Sequence, residues 1–237
     1  MEACSFPRGI RVLLRYVSAF AGLLFTLFHS LPSHALSYRV ADANLPGQKG
    51  PCTGVIIASG TITQREHLYL AEFLQETLRQ RSVCPILVIE SPGGFNVGAA
   101  SLGLLARRLK MTVMVAGWTG ETITTNSGLR PSTCASACVL VLAGGSNRYI
   151  VSGSRVGVHR SHTGIPVLDP LTRQSVSGTV DNAGVKSAYA SYFKQMGVGQ
   201  GLADVMDKTD SSTMYWLSEQ EMSKFKLAVN VSRRRQR

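Results

Sequence analysis

From about Cys52 the chain alternates between two hydrophobic patterns. Gly54-Val55-Ile56-Ile57-Ala58 is a short, uncharged run rich in β-branched residues, which predicts a buried strand. Thr63-Gln64-Arg65-Glu66 then forms a capping-box pattern that opens a helix. Leu70, Phe73, Leu74 and Leu78 mark the buried stripe of that helix. Pro85-Ile86-Leu87-Val88-Ile89 predicts a second strand, ended by Ser91-Pro92-Gly93-Gly94. A helix from about Val97 to Leu109 leads into a third strand, Met111–Val115. Two consecutive strand–helix–strand units predict an α/β fold: a parallel sheet with right-handed crossovers and helices on its faces.

Beyond this point the pattern is less regular. Trp118–Thr133 is polar and rich in Thr, Ser and Gly, and predicts a long loop after a strand, where α/β proteins build sites. Ala135–Ala143 is almost wholly apolar and predicts a buried helix entered at Ser136 and closed by Gly144-Gly145. Arg148–Val151 and Arg155–His159 read as short strands, and the chain is helical by pattern from Val185 onward. Ser218-Glu219-Gln220-Glu221 is a second capping box, opening a final short helix.

Composition narrows the class. With 237 residues, 44% of them hydrophobic, only 16% charged and 23 glycines, the chain is not disordered, collagenous or coiled-coil. The net charge of +11 raises nucleic acid as a partner until its location is considered. Arg8, Arg11 and Arg15 precede the uncharged run Val17–Phe28, followed by Pro32-Ser33-His34-Ala35 with small residues where a signal peptidase reads. Residues 1–35 therefore read as a signal peptide, or as a signal anchor if they are not cleaved. Residues 232–237 form a basic tail, Ser232-Arg233-Arg234-Arg235-Gln236-Arg237. Between them, residues 36–231 make one domain carrying only +5, with no basic stripe interleaved with aromatics. No nucleic-acid partner is expected, and the location expected is periplasmic or secreted. The tail is a solvated terminus or a peripheral contact to anionic lipid.

Cys52, Cys84, Cys134 and Cys138 remain after the leader, an even number that an oxidising compartment tends to pair. Three pairings are open. Cys52 and Cys84 each stand just before a predicted strand at the same sheet edge, which favours that pair. Cys134 and Cys138 are one helical turn apart, near the separation a disulfide accepts. The rival use of Cys134 and Cys138, with His159 and His162 as zinc ligands, has too long a spacing between the pairs. No metal and no cofactor is expected.

Three segments in this order, Ser91-Pro92-Gly93-Gly94 after a strand, the small-residue turn Ala135-Ser136-Ala137, and Arg155-Val156-Gly157-Val158-His159, resemble the Clp protease proteolytic subunit of the ClpP/crotonase superfamily. The resemblance runs from about Gly54 to Val229. It is nearest to secreted Clp-protease-like bacterial proteins that carry a Cys-x-Ser-x-Cys turn, as Cys134-Ala135-Ser136-Ala137-Cys138 does. It implies stacked βαβ units and a peptidase acting on peptide or protein. It also implies Ser136 as nucleophile, His159 as general base, and the backbone N–H groups of Gly94 and Ala137 as an oxyanion hole. A homo-oligomer is plausible as well, because the polar stretch Ser161–Val180 follows His159 where the family inserts its oligomer-forming segment.

Elementary chemistry agrees with these roles. A serine hydroxyl needs a base, and histidine titrates near neutrality. Each residue also has a plainer reading: Ser136 as a helix N-cap, the glycines as an ordinary turn, His159 as a structural histidine. The family's third position falls on Met214, which cannot orient an imidazolium; the nearest carboxylate is Asp210, a tentative third member. The expectation is thus an exported serine hydrolase. The alternatives are a non-catalytic binding or assembly module and, less compatible with export, an acyl-CoA enzyme.

Overall fold

The computed structural model describes residues 35–45, 53–125, 127–161 and 182–231. All belong to the second of two units into which the chain divides, Ala35–Arg237. Residues 1–34 (nearly all of the segment read as a leader), Cys52, most of the polar stretch after His159 and the basic tail lie outside the described residues.

The central sheet has six strands in the order β1-β2-β3-β4-β8-β11. These are β1 (Ser37–Asp42), β2 (Gly54–Ser59), β3 (Ile86–Glu90), β4 (Thr112–Val115), β8 (Asn147–Val151) and β11 (Val229–Val231). The strands from β2 to β11 run parallel, and β1 is added antiparallel to β2. Helices α1 (Glu66–Gln80) and α2 (Asn96–Arg108) make the two predicted crossovers. The fold is α/β, with βαβ units around a parallel sheet. Among the described residues no helix is long and apolar enough to cross a membrane.

The sheet is apolar on both faces because both are covered. Ile56, Ala58, Leu87 and Ile89 point to the larger core, shared with α2 and the later helices. Their neighbours Val55, Ile57 and Val88 face a second cluster with Ala116 and Ile123, against which Trp118 and Leu129 pack. Those two residues lie in the two-strand ladder β5 (Gly117–Trp118) and β6 (Leu129–Arg130). The predicted loop from Trp118 to Thr133 therefore contains structure: its hairpin covers the second face, and Arg130 forms a two-point pair with Glu90 at 2.8 and 3.0 Å.

Helix α1 departs from expectation at both ends. Its first turn is not closed by a Thr63 cap. Instead Glu66 is fully buried and accepts hydrogen bonds from Thr63 N–H (2.8 Å), Thr63 Oγ1 (2.7 Å) and Tyr38 Oη (3.0 Å). Leu70 is buried, whereas Leu78, placed on the same stripe by spacing, is 57% exposed.

The apolar run from Ala135 to Ala143 is divided. Thr133–Ala135 is a strand, β7, and only Cys138–Gly144 is helical, forming α3. β7 belongs to a second sheet in the order β10-β9-β7, with β9 (Arg155–Val158) in the middle and β10 (Tyr215–Trp216) antiparallel to it. Helices α4 (Asn182–Gln195), α5 (Gly201–Lys208) and α6 (Glu219–Lys224) follow. The second capping box is complete: Ser218 Oγ accepts from Glu221 N–H at 3.2 Å, and the Glu221 carboxylate accepts from Ser218 N–H at 2.9 Å.

Candidate active site

The site forms where β3 ends against β7. Ser91 forms a parallel bridge with Cys134: its N–H donates to Thr133 O and its carbonyl accepts from Ala135 N–H, both at 3.0 Å. The glycine turn is thereby fixed beside the start of α3. The Ser91 hydroxyl, 1% exposed, accepts the Gly93 N–H at 3.1 Å. On the other side, Ile62 N–H donates to Gly93 O at 2.8 Å and Phe95 N–H donates to Ile62 O at 2.9 Å. Gly93 and Gly94 have φ of +109° and +140°, a region closed to most side chains. A Cβ on Gly94 would fall on the Ile62 carbonyl oxygen.

Ser136 sits on a sharp strand-to-helix turn with φ of +56°, unusual for a residue with a side chain. Its N–H donates to Gly157 O of β9 at 2.9 Å. The N-cap position of α3 is Ala137, with no side-chain cap, so the N-cap reading of Ser136 does not hold. Its hydroxyl lies instead 2.7 Å from His159 Nε2, at the end of β9. Register explains the meeting. β7 and β9 run parallel with Ala135 beside Gly157, so Ser136 and His159 both emerge at the same end of this sheet.

Among the described residues the two backbone donors named from sequence are both left without an acceptor. Ala137 N–H and Gly94 N–H donate no hydrogen bond among the described residues, while Gly93 N–H is taken by Ser91. Ala137 follows Ser136 at the helix start, and Gly94 belongs to the glycine turn whose Gly93 packs against Ser136 and Ala137. Such an array permits a serine to attack a carbonyl, its proton passing to the imidazole.

No hydrogen bond joins Asp210 to His159 Nδ1 among the described residues. One of its oxygens accepts from Ser212 N–H (2.9 Å) and Ser212 Oγ (2.6 Å), and the other pairs with Arg160 at 3.4 Å. His159 Nδ1 is buried and has no hydrogen-bond partner among the described residues.

Cys134 and Cys138 are joined by a disulfide with their Cα atoms 5.3 Å apart, bracketing Ser136. Their sulfurs are therefore not zinc ligands, and among the described residues no cluster of metal-binding side chains occurs. Cys84 is also disulfide-bonded, and with Cys134 and Cys138 paired to each other its partner lies outside the described residues, as Cys52 does. The strands that Cys52 and Cys84 precede are neighbours in the sheet.

Three contributors were missed from sequence. Ile62 clamps the glycine turn, the Ser91 hydroxyl holds its first amide, and Gly157 anchors the serine amide. Ser91 and Gly157 carried a signal, as members of the SPGG turn and of the segment before His159; Ile62 carried none.

No protein-family model matches the chain, and no curated protein matches it. Among solved structures it is similar to a variant of the 1510-N membrane-bound stomatin-specific protease, with 14% identity, TM-score 0.48, and coverage of 82% of this chain and 81% of that one. Another variant of that protease, in complex with a substrate peptide, has 14% identity, TM-score 0.49, and coverage of 81% and 76%. A ClpP1 variant from Listeria monocytogenes has 16% identity, TM-score 0.47, and coverage of 76% and 92%.

Proposed function

We propose that the chain is an exported serine hydrolase, a peptidase that forms an acyl-enzyme on Ser136 with His159 as general base. The observation that carries this reading is the 2.7 Å contact between Ser136 Oγ and His159 Nε2, made by a serine held at positive φ. A serine serving as a cap would turn its hydroxyl to the helix; this one turns it to the imidazole. Gly94 N–H and Ala137 N–H supply the oxyanion hole, and with no acid on His159 among the described residues the machinery is a Ser–His dyad. The peptide substrate rests on the sequence resemblance. Export rests on the leader and on the disulfides of the domain, which an oxidising compartment favours. A homo-oligomer completes the proposal, with the basic tail a solvated terminus. Hydrolysis of activated esters and short peptides tests it. Ser136→Ala and His159→Ala each lower kcat at least a hundredfold if the reading is right; wild-type rates in both would overturn it.

A second reading, a non-catalytic binding or assembly module, is favoured by one observation: His159 Nδ1 is buried without a partner. Its signature is a Ser136→Ala chain that replaces the wild type fully in the native host.

A further inference from the structure

Met214 and His159 flank the short ladder between β10 and β9, whose register is Tyr215↔Val158 and Trp216↔Gly157. Continued one step beyond both strands, that register sets Met214 against His159, and residues so opposed share a face with their Cβ atoms about 5 Å apart. The thioether extends along this face: a Cβ built on Gly157 would lie 2.7 Å from Met214 Cγ and 2.8 Å from its Sδ. Positions 157 and 159 alternate to the same face of the strand, so the thioether lies against Gly157 on the face that His159 shares. His159 Nδ1 is buried with no hydrogen-bond partner among the described residues.

A neutral imidazole carries one N–H, on Nδ1 or on Nε2. On Nδ1 it would be a buried donor facing no acceptor, which is costly. On Nε2 it donates to Ser136 Oγ, 2.7 Å away, and leaves only a lone pair at Nδ1. A methionine sulfur is too weak an acceptor to reverse this preference.

We propose that Met214 is a positioning residue that keeps resting His159 in the Nε2–H tautomer, so that the imidazole donates to the Ser136 hydroxyl instead of accepting its proton. This rests on the serine-hydrolase reading only for its catalytic consequence. Proton transfer from Ser136 then needs the minority tautomer, and the protein is held at low activity by one side chain. In a serine protease, losing the aspartate that fixes the productive tautomer lowers the rate about 10⁴-fold. A carboxylate at position 214 would accept the Nδ1 proton and reverse the preference.

The test is a long-range ¹H–¹⁵N correlation spectrum of His159 in the folded chain, recorded at about pH 8, above the ordinary imidazole range, together with the rate of fluorophosphonate labelling. The wild type is expected to show Nε2 protonated and Nδ1 bare; a protonated Nδ1 overturns the proposal, and this spectrum needs no variant to fold. Met214→Asp, or Met214→Asn as a neutral acceptor, is expected to move the proton to Nδ1 and raise labelling at least tenfold. Met214→Leu, which keeps the face apolar, is expected to leave the proton on Nε2. A folded Met214→Asp that retains the Nε2 proton also overturns the proposal. If the proton moves and labelling stays flat, the tautomer assignment stands and the hydrolase reading fails.

Discussion

The α-carbon of Gly93 approaches Ser136 so closely that a methyl group on it would lie 2.7 Å from Ser136 Cβ and 2.8 Å from Ala135 O. The backbone there has φ of +109°, so alanine is strained as well as crowded. Gly93→Ala is expected to push the glycine turn away from the serine and misplace the neighbouring Gly94 amide. A displacement of about 1 Å in such a site can cost on the order of 10²-fold in rate. Ester hydrolysis checks this, with circular dichroism to show that the fold persists; an unchanged rate would remove the glycine turn from the site.

The Cys134–Cys138 bond closes a very short loop around Ser136. For so short a loop the chain-entropy contribution is about 2 kcal/mol, which for a domain of this size corresponds to a fall in Tm of roughly 4–8 °C. The double variant Cys134→Ala/Cys138→Ala is expected to show that fall in a thermal melt. Both cysteines are 0% exposed, so a mild reductant is expected to leave the native bond intact and to cleave it once the protein is unfolded. Counting free thiols before and after unfolding reads this directly.

Tyr38 and Glu66 join β1 to the start of α1 through a 3.0 Å hydrogen bond. Burial, and then the Glu66 carboxylate, push the Tyr38 hydroxyl far above the ordinary phenol value of 10.0. Burial raises Tyr192 likewise, and its hydroxyl donates to Leu140 O at 2.7 Å. Folded tyrosines with raised pKa hold protons that the unfolded chain releases, so their contribution is full below pH 10 and is lost as pH rises above it. Each adds a slope of up to about 1.4 kcal/mol per pH unit. Urea unfolding between pH 9 and 11 is expected to show this decline, less steep in Tyr38→Phe and in Tyr192→Phe. Glu66→Ala, which strands the Tyr38 and Thr63 donors, is expected to cost about 2–4 kcal/mol at pH 7.

Much of the fold was legible because β2, α1, β3 and α2 each carry a periodicity that burial imposes. The segment Thr133–Gly144 resisted reading because its strand and its helix are equally apolar and small. What divides them is the positive φ at Ser136, a tertiary property with no compositional trace. β11 and β10 are two or three residues long and exist only through the strands they pair with. Ser136 and His159 were legible together, as small-residue turn and strand end in a familiar order, and the structure places them in contact. Asp210 was chosen as the nearest carboxylate in sequence; the turn from Asp210 to Ser212 uses that carboxylate locally, which spacing does not show.

If Ser136 is a nucleophile served by His159, it reacts only in the folded chain. The most direct measurement is to treat the folded chain with a fluorophosphonate and locate the adduct by tandem mass spectrometry. A single phosphonylated residue is expected, Ser136, with no adduct in His159→Ala or in chain unfolded in urea. No adduct on the folded wild type, or one formed equally in the unfolded chain, would contradict it.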